Sequence, residues 1–234
     1  PELSLVGGTE DFSETFPSVL AFSTEDKALD SRCTGTKVGQ RFILTAAHCF
    51  IDESSEKGFS TSVFENSPFY FSFSARIPRA SKIDQGHVKQ VVIPPNLEKC
   101  FKGATSQVSE CVESAPDIAV VELEESEAFN LAPISEIDTN LVNTGDLITF
   151  VGFGLTSDED KTPPVRKFHV SKVSSPKELK QAFDLYGITD AEVDFNLYFG
   201  TLGVLVGKDY ANLGSGDSGG PVFKSKNGSS ALVG

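Results

Sequence analysis

Phe69, Phe71 and Phe73 alternate with Tyr70, Ser72 and Ser74, and Phe168 and Val170 alternate with Lys167, His169 and Ser171. A period of two sends successive side chains to opposite faces of an extended chain, so both stretches predict half-buried β-strands. Short apolar runs bounded by Gly, Pro, Asn or Asp predict further strands at Phe42 to Leu44, Val88 to Ile93, Ile118 to Leu123, Leu147 to Gly152 and Leu197 to Val206. The pattern is that of an all-β fold, a sandwich or barrels of antiparallel strands. Ser175-Pro176-Lys177-Glu178 differs, because it places a hydroxyl at an N-cap, proline at the first helical position and glutamate at the third. It predicts a short helix from Pro176 to Tyr186, stopped by Gly187. The acidic stretch Glu122 to Asp138 loses apolar periodicity after Leu123 and reads as a crossing between two halves.

Composition narrows the class. The chain has 234 residues, 39% of them apolar, enough to bury one large β domain or two small ones. Its formal charge of −13 opposes binding to nucleic acid or to an anionic membrane surface. No run approaches the roughly 20 apolar residues of a membrane helix, so no membrane insertion is expected. Four cysteines, an even number, allow two bridges and fit an exported, oxidising location.

Candidate chemistry rests on few residues. Among three histidines, His48 alone follows an apolar strand directly, in Leu44-Thr45-Ala46-Ala47-His48-Cys49. His87 and His169 stand in polar, lysine-bearing contexts and read as ordinary strand or surface residues. Gly216-Asp217-Ser218-Gly219-Gly220-Pro221 has the composition of a tight turn that presents a serine, since glycine permits backbone angles other residues avoid. Alone, such a string is more often a plain surface turn. No Cys/His pair or acidic loop has the spacing of a ligand set, so neither metal nor cofactor is expected.

Taken together, the two segments resemble the histidine and serine signatures of the chymotrypsin/trypsin-like serine proteases. Asp117-Ile118-Ala119-Val120-Val121-Glu122-Leu123 is similar to that family's aspartate and following strand, and His48, Asp117, Ser218 is the family's order. Leu5-Val6-Gly7-Gly8-Thr9-Glu10 resembles the mature N-terminus, Ile93-Pro94-Pro95-Asn96 a strand-ending turn, and Val151-Gly152-Phe153-Gly154 the start of the second half. The resemblance implies two antiparallel six-stranded β-barrels packed together: residues 5–125 carrying His48 and Asp117, and residues 126–234 carrying Ser218. Residues 1–4 would be a propeptide remnant. It implies a secreted or periplasmic serine endopeptidase, monomeric, acting on proteins or peptides and open to a protein inhibitor. His48, Asp117 and Ser218 would form the catalytic triad, and the N–H groups of Gly216 and Ser218 the oxyanion hole. It further implies a bridge between Cys33 and Cys49. For Cys100 and Cys111 a loop-closing bridge is the reading preferred over free thiols.

Three features bear on activity. Pro1 to Ser4 precede Leu5, whose freed α-amino group the resemblance pairs with Asp217, so the uncut chain reads as a zymogen cleaved between Ser4 and Leu5. Ala231-Leu232-Val233-Gly234 resembles the start of a strand that the family continues along the substrate-binding edge, so the second barrel is expected to be incomplete at its C-terminus. The resemblance places Asn212, followed by Leu213, at the floor of the specificity pocket and implies a neutral one. The competing readings are a catalytically inactive binding module on the same scaffold, and an esterase or other acyl transferase using the same three residues.

Overall fold

The computed structural model describes residues 8–25, 29, 32–50, 64–77, 83–103, 116–125, 129–130, 132–140, 142–155, 164–175, 177–178, 181, 215–226 and 229–234. Among the described residues twelve strands make two sheets. The first is a closed barrel in the order β2 (Val19–Ser23), β3 (Cys33–Lys37), β4 (Phe42–Thr45), β7 (Ala119–Leu123), β6 (Asp84–Val92) and β5 (Pro68–Ser72). The second is a six-stranded sheet in the order β1 (Thr9–Glu10), β10 (Lys167–Lys172), β9 (Leu147–Gly152), β11 (Val222–Lys226), β12 (Ser229–Leu232) and β8 (Glu136–Ile137). The described strands of this second sheet do not close on themselves, and β12 pairs with β8 in parallel rather than in the antiparallel sense expected throughout.

The alternation read from sequence builds the barrel core. Phe69 and Phe71 are fully buried in β5; Phe69 stacks on Phe22 at 5.0 Å, and the two β5 rings are tilted against each other at 5.8 Å. Phe50, Val88, Val121 and Leu123 fill the remaining interior. Flat rings occupy this space without polar atoms to satisfy, which suits a chain of 19 phenylalanines and no tryptophan or methionine. β2 breaks the alternation, being buried at all five positions. Its Leu20 and Phe22 face the barrel interior, while Val19 and Ala21 pack with Phe16, Val151, Phe153 and Phe223 in a second core between barrel and sheet.

Buried charges fasten the halves. Arg166, just before β10, is fully buried, with Nε 2.8 Å from Asp11 Oδ2 and Nη1 donating to the carbonyls of Val19 and Phe73. Lys37, at the end of β3, donates to the carbonyls of Phe129 at 2.6 Å and Ala132 at 2.7 Å and lies over the Phe129 ring. It holds part of the acidic stretch Glu122 to Asp138 against the barrel.

At Ile93-Pro94-Pro95-Asn96 the strand does end, and a helix not expected from sequence, α1 (Pro95–Gly103), begins there. Proline suits a first helical turn because its missing N–H is unneeded there, and Leu97 fixes the helix to the barrel core. At the predicted helix, Lys177, Glu178 and Gln181 are helical and the rest lies outside the described residues. Its capping box is present: the Glu178 N–H donates to Ser175 Oγ at 3.2 Å, and the Ser175 N–H donates to Glu178 Oε2 at 2.7 Å. The predicted strand Leu197 to Val206 also lies outside the described residues. No described helix is long and apolar enough to cross a membrane.

Candidate active site

Strand register brings the first two candidate residues together. β4 and β7 are antiparallel neighbours with Thr45 opposite Ala119, so the segment leaving β4 lies beside the segment entering β7. Ala46 and Ala47, 5% and 0% exposed, let the chain turn sharply into a 3₁₀-helix, Ala47–Phe50, that sets the His48 ring at the surface. Asp117 then holds His48 at two points: Oδ1 accepts the backbone N–H at 2.9 Å, and Oδ2 lies 2.5 Å from Nδ1.

An ionised carboxylate can only accept, so Nδ1 carries the proton and Nε2 is left as the proton acceptor. The hydrogen bond that Nδ1–H donates to Asp117, helped by the carboxylate charge, raises the His48 pKa above the ordinary histidine value, against the opposing effect of burial. Burial pushes the Asp117 carboxyl up. The His48 ring and the N–H groups of His48 and Ala47 outweigh it and bring the carboxyl below the usual range.

Ser218 comes from the loop before β11 of the second sheet. Gly216 has φ +95° and Gly219 φ +76°, angles that side chains with a Cβ rarely adopt. A Cβ on Gly219 would also overlap Thr45 Oγ1. The four carbonyls from Ser215 to Ser218 are all engaged. Ser215 C=O accepts the Leu155 N–H at 2.8 Å, and Asp217 C=O accepts the Gly220 N–H at 2.9 Å. Gly216 C=O accepts the Thr34 hydroxyl at 2.7 Å, and Ser218 C=O accepts the Thr34 N–H at 2.8 Å. Across a trans peptide the N–H points opposite to the C=O, so these bonds also set the directions of the N–H groups of Gly216 to Gly219.

The Asp217 side chain turns inward and is 6% exposed. Its Oδ1 accepts the Gly154 N–H at 2.7 Å, and a Cβ on Gly152 or Gly154 would collide with the carboxylate. Val151-Gly152-Phe153-Gly154 therefore opens the space that Asp217 fills. Sequence reading matched this string to a position in the family without finding that role, although two glycines two apart at a strand end were the visible signal. It missed Thr34 altogether.

Cys33 and Cys49 are bridged, tying the 3₁₀-helix of His48 to the start of β3. Cys33, His48 and Cys49 bring three donor atoms of metal-ligand type close together, but both sulfurs are spent in the disulfide and offer no thiolate. Cys100 is disulfide-bonded, and Cys111 lies outside the described residues. So do Leu5, Asn212 and Leu213. His87 is an exposed residue of β6 and His169 a half-buried residue of β10.

His48, Asp117 and Ser218 line one cavity of about 630 Å³ between barrel and sheet, whose walls include Leu44, Val151 and Val222. The arrangement offers a hydroxyl, an imidazole with a free basic nitrogen and a carboxylate that orients it, beside a loop whose amides are fixed in direction.

Comparison with known proteins agrees with this geometry. CLIP domain-containing serine protease C9 of Anopheles gambiae is 26% identical over 257 aligned residues, a match covering 100% of this chain and 60% of that protein. The chain thus spans about 60% of the length of the curated relative it matches. The family model for trypsin matches residues 5–234, and with its closed six-stranded barrel, second sheet and His48–Asp117 pair the chain belongs to the trypsin family.

Proposed function

We propose that the protein is a serine endopeptidase that hydrolyses peptide bonds through an acyl-enzyme. The observation that carries this reading is the two-point hold of Asp117 on His48 in the cavity that Ser218 also lines. His48 Nε2 takes the Ser218 hydroxyl proton as Oγ adds to the scissile carbonyl carbon, and Asp117 stabilises the imidazolium. The N–H groups of Gly216 and Ser218 receive the oxyanion, a contribution of roughly 3 to 4 kcal/mol where a single such donor is removed. As the tetrahedral intermediate collapses, the C–N bond breaks and His48 returns the proton to the leaving amine. Water then enters by the same route: His48 accepts its proton, the hydroxide adds to the acyl carbon, and Ser218 leaves with the proton.

The finer reading is a zymogen cleaved between Ser4 and Leu5, with the new amino group of Leu5 pairing with Asp217. Asn212 and Leu213 line the specificity pocket in this reading, and Cys100 pairs with Cys111. Two disulfides favour export to an oxidising compartment. Protein or peptide substrates, a monomeric state and residues 5–125 and 126–234 as the two halves complete it.

A fluorophosphonate reagent should label Ser218 of the processed protein, and Ser218→Ala should abolish both labelling and peptide hydrolysis. Labelling at a different serine, with Ser218 untouched, overturns the assignment. Activity of the uncut chain equal to that of the form beginning at Leu5 overturns the zymogen reading.

A further inference from the structure

We propose that Thr34 is a positioning residue for the oxyanion loop, its hydroxyl locking the Gly216–Asp217 peptide, which joins the two peptides that carry the Gly216 and Ser218 N–H groups. The inference rests on the peptidase reading above and adds a residue that the triad does not contain. Thr34 is fully buried in β3, next to the bridged Cys33, and every polar atom it owns is used. Its N–H donates to Ser218 C=O at 2.8 Å, and its carbonyl accepts the Thr45 hydroxyl at 2.8 Å. Its hydroxyl lies 3.1 Å from the Phe153 N–H and 2.7 Å from Gly216 C=O.

The direction of those last two bonds is fixed by chemistry. An amide N–H can only donate, so Oγ1 accepts from Phe153 and keeps its single proton for the Gly216 carbonyl. One side chain thereby joins the barrel, the segment leaving β9 and the serine loop. It holds Gly216 C=O with its hydroxyl and Ser218 C=O with its N–H, on either side of Asp217.

The Gly216 site needs such a restraint. Glycine at φ +95° sits in a region it enters and leaves without the steric barriers that confine other residues, so local geometry does not hold the peptide. Tertiary hydrogen bonds must do so, and Thr34 supplies the one on the Gly216 carbonyl. Loss of the hydroxyl frees the peptide between Gly216 and Asp217 to rotate, and through Gly216 ψ and Asp217 φ that rotation turns the flanking peptides, which carry the Gly216 and Ser218 N–H groups. It also leaves the Phe153 N–H, which begins the Phe153-Gly154 stretch bonded to Asp217, without this acceptor.

The test compares wild type, Thr34→Val and Thr34→Ser, each produced as the whole protein and processed to its active form. Valine keeps the shape and removes the hydroxyl; serine keeps the hydroxyl and removes a methyl. Thr34→Val is expected to lower kcat by roughly 10- to 100-fold with KM within about threefold, because a mispositioned donor acts on the transition state rather than on substrate binding. Affinity for a peptide boronate, whose tetrahedral adduct uses the oxyanion site, should fall by a similar factor, while affinity for the corresponding cleaved peptide stays within about twofold. Thr34→Ser should recover most of kcat. Should the valine variant not fold, Thr34→Ala carries the same comparison against serine. Equal kcat and boronate affinity in a folded hydroxyl-free variant overturn the proposal while fluorophosphonate labelling of wild-type Ser218 upholds the peptidase reading. Wild type that is not labelled overturns both.

Discussion

On the proposed peptidase reading, the His48–Asp117 contact makes activity depend on pH in a defined direction. Its hydrogen bond raises the histidine pKa above the ordinary value of about 6.5. A general base must be unprotonated, so the acid limb of kcat/KM should lie above that ordinary value, with activity lost as pH falls through it. Asp117→Asn removes the charge and reverses the preferred tautomer. The limb should move to lower pH and the plateau should fall by roughly 10²- to 10⁴-fold. A pH profile of peptide hydrolysis checks both, and an unmoved limb would show that Asp117 does not set the basicity of His48.

Strands place these residues, and β3 shows how little room they have. Gly35 faces the barrel interior between Ile43 and Phe22, where an added Cβ would come within 2.7 Å of Ile43 Cγ2 and 3.3 Å of Phe22 Cε1. Its backbone angles are ordinary, so the restriction is one of volume alone. Gly35→Ala should destabilise the fold by about 1–3 kcal/mol through overpacking, read as a lower urea midpoint. An unchanged midpoint would mean that β3 and β4 can part without loss. Because Thr34 and Cys33 lie on the same strand, the variant should also slow labelling of Ser218. At the end of β3, Lys37 does for the crossing segment what Gly35 does for the barrel: its three backbone acceptors are the carbonyls of Phe129, Asn130 and Ala132.

Across the whole molecule, Arg166 and Asp11 join the segment after β1, the barrel and the second sheet in one buried cluster. Burial pushes the Asp11 carboxyl up, but the N–H groups of Thr15 and Phe16 and the Arg166 guanidinium outweigh it and hold it below the ordinary carboxylate value. A carboxyl lower in the folded than in the unfolded state stabilises at neutral pH, and that stabilisation is lost as pH falls through the folded value. Arg166→Met strands a buried carboxylate and should cost about 3–5 kcal/mol at pH 7. The deficit should shrink in acid, where Asp11 of the variant, without the guanidinium that holds its carboxyl low, takes up a proton and no longer leaves a stranded charge. Denaturant unfolding at pH 7 and pH 3 measures both quantities; equal stability at pH 7 would show that the cluster does not fasten the halves.

Much of the site was legible because its elements are local. The alternation of Phe69 and Phe71, the capping box of Ser175 and Glu178 and the glycines around Ser218 each act within a few residues, where periodicity or a required φ leaves its mark on composition. The same is true of His48 after two buried alanines and of Asp117 before its strand. The sequence by itself therefore determined six of the strands, β4 to β7 with β9 and β10, the serine turn and the residues to bring together. Tertiary structure alone decided that β1 joins the second sheet, that β2 is buried on both faces, that α1 follows Pro94, and that Gly152 and Gly154 make room for Asp217. It also decided the role of Thr34, whose hydroxyl meets a carbonyl 182 residues away. A threonine that caps no local turn looks like any strand threonine, and only the packing of barrel against sheet determines which distant carbonyl its proton finds.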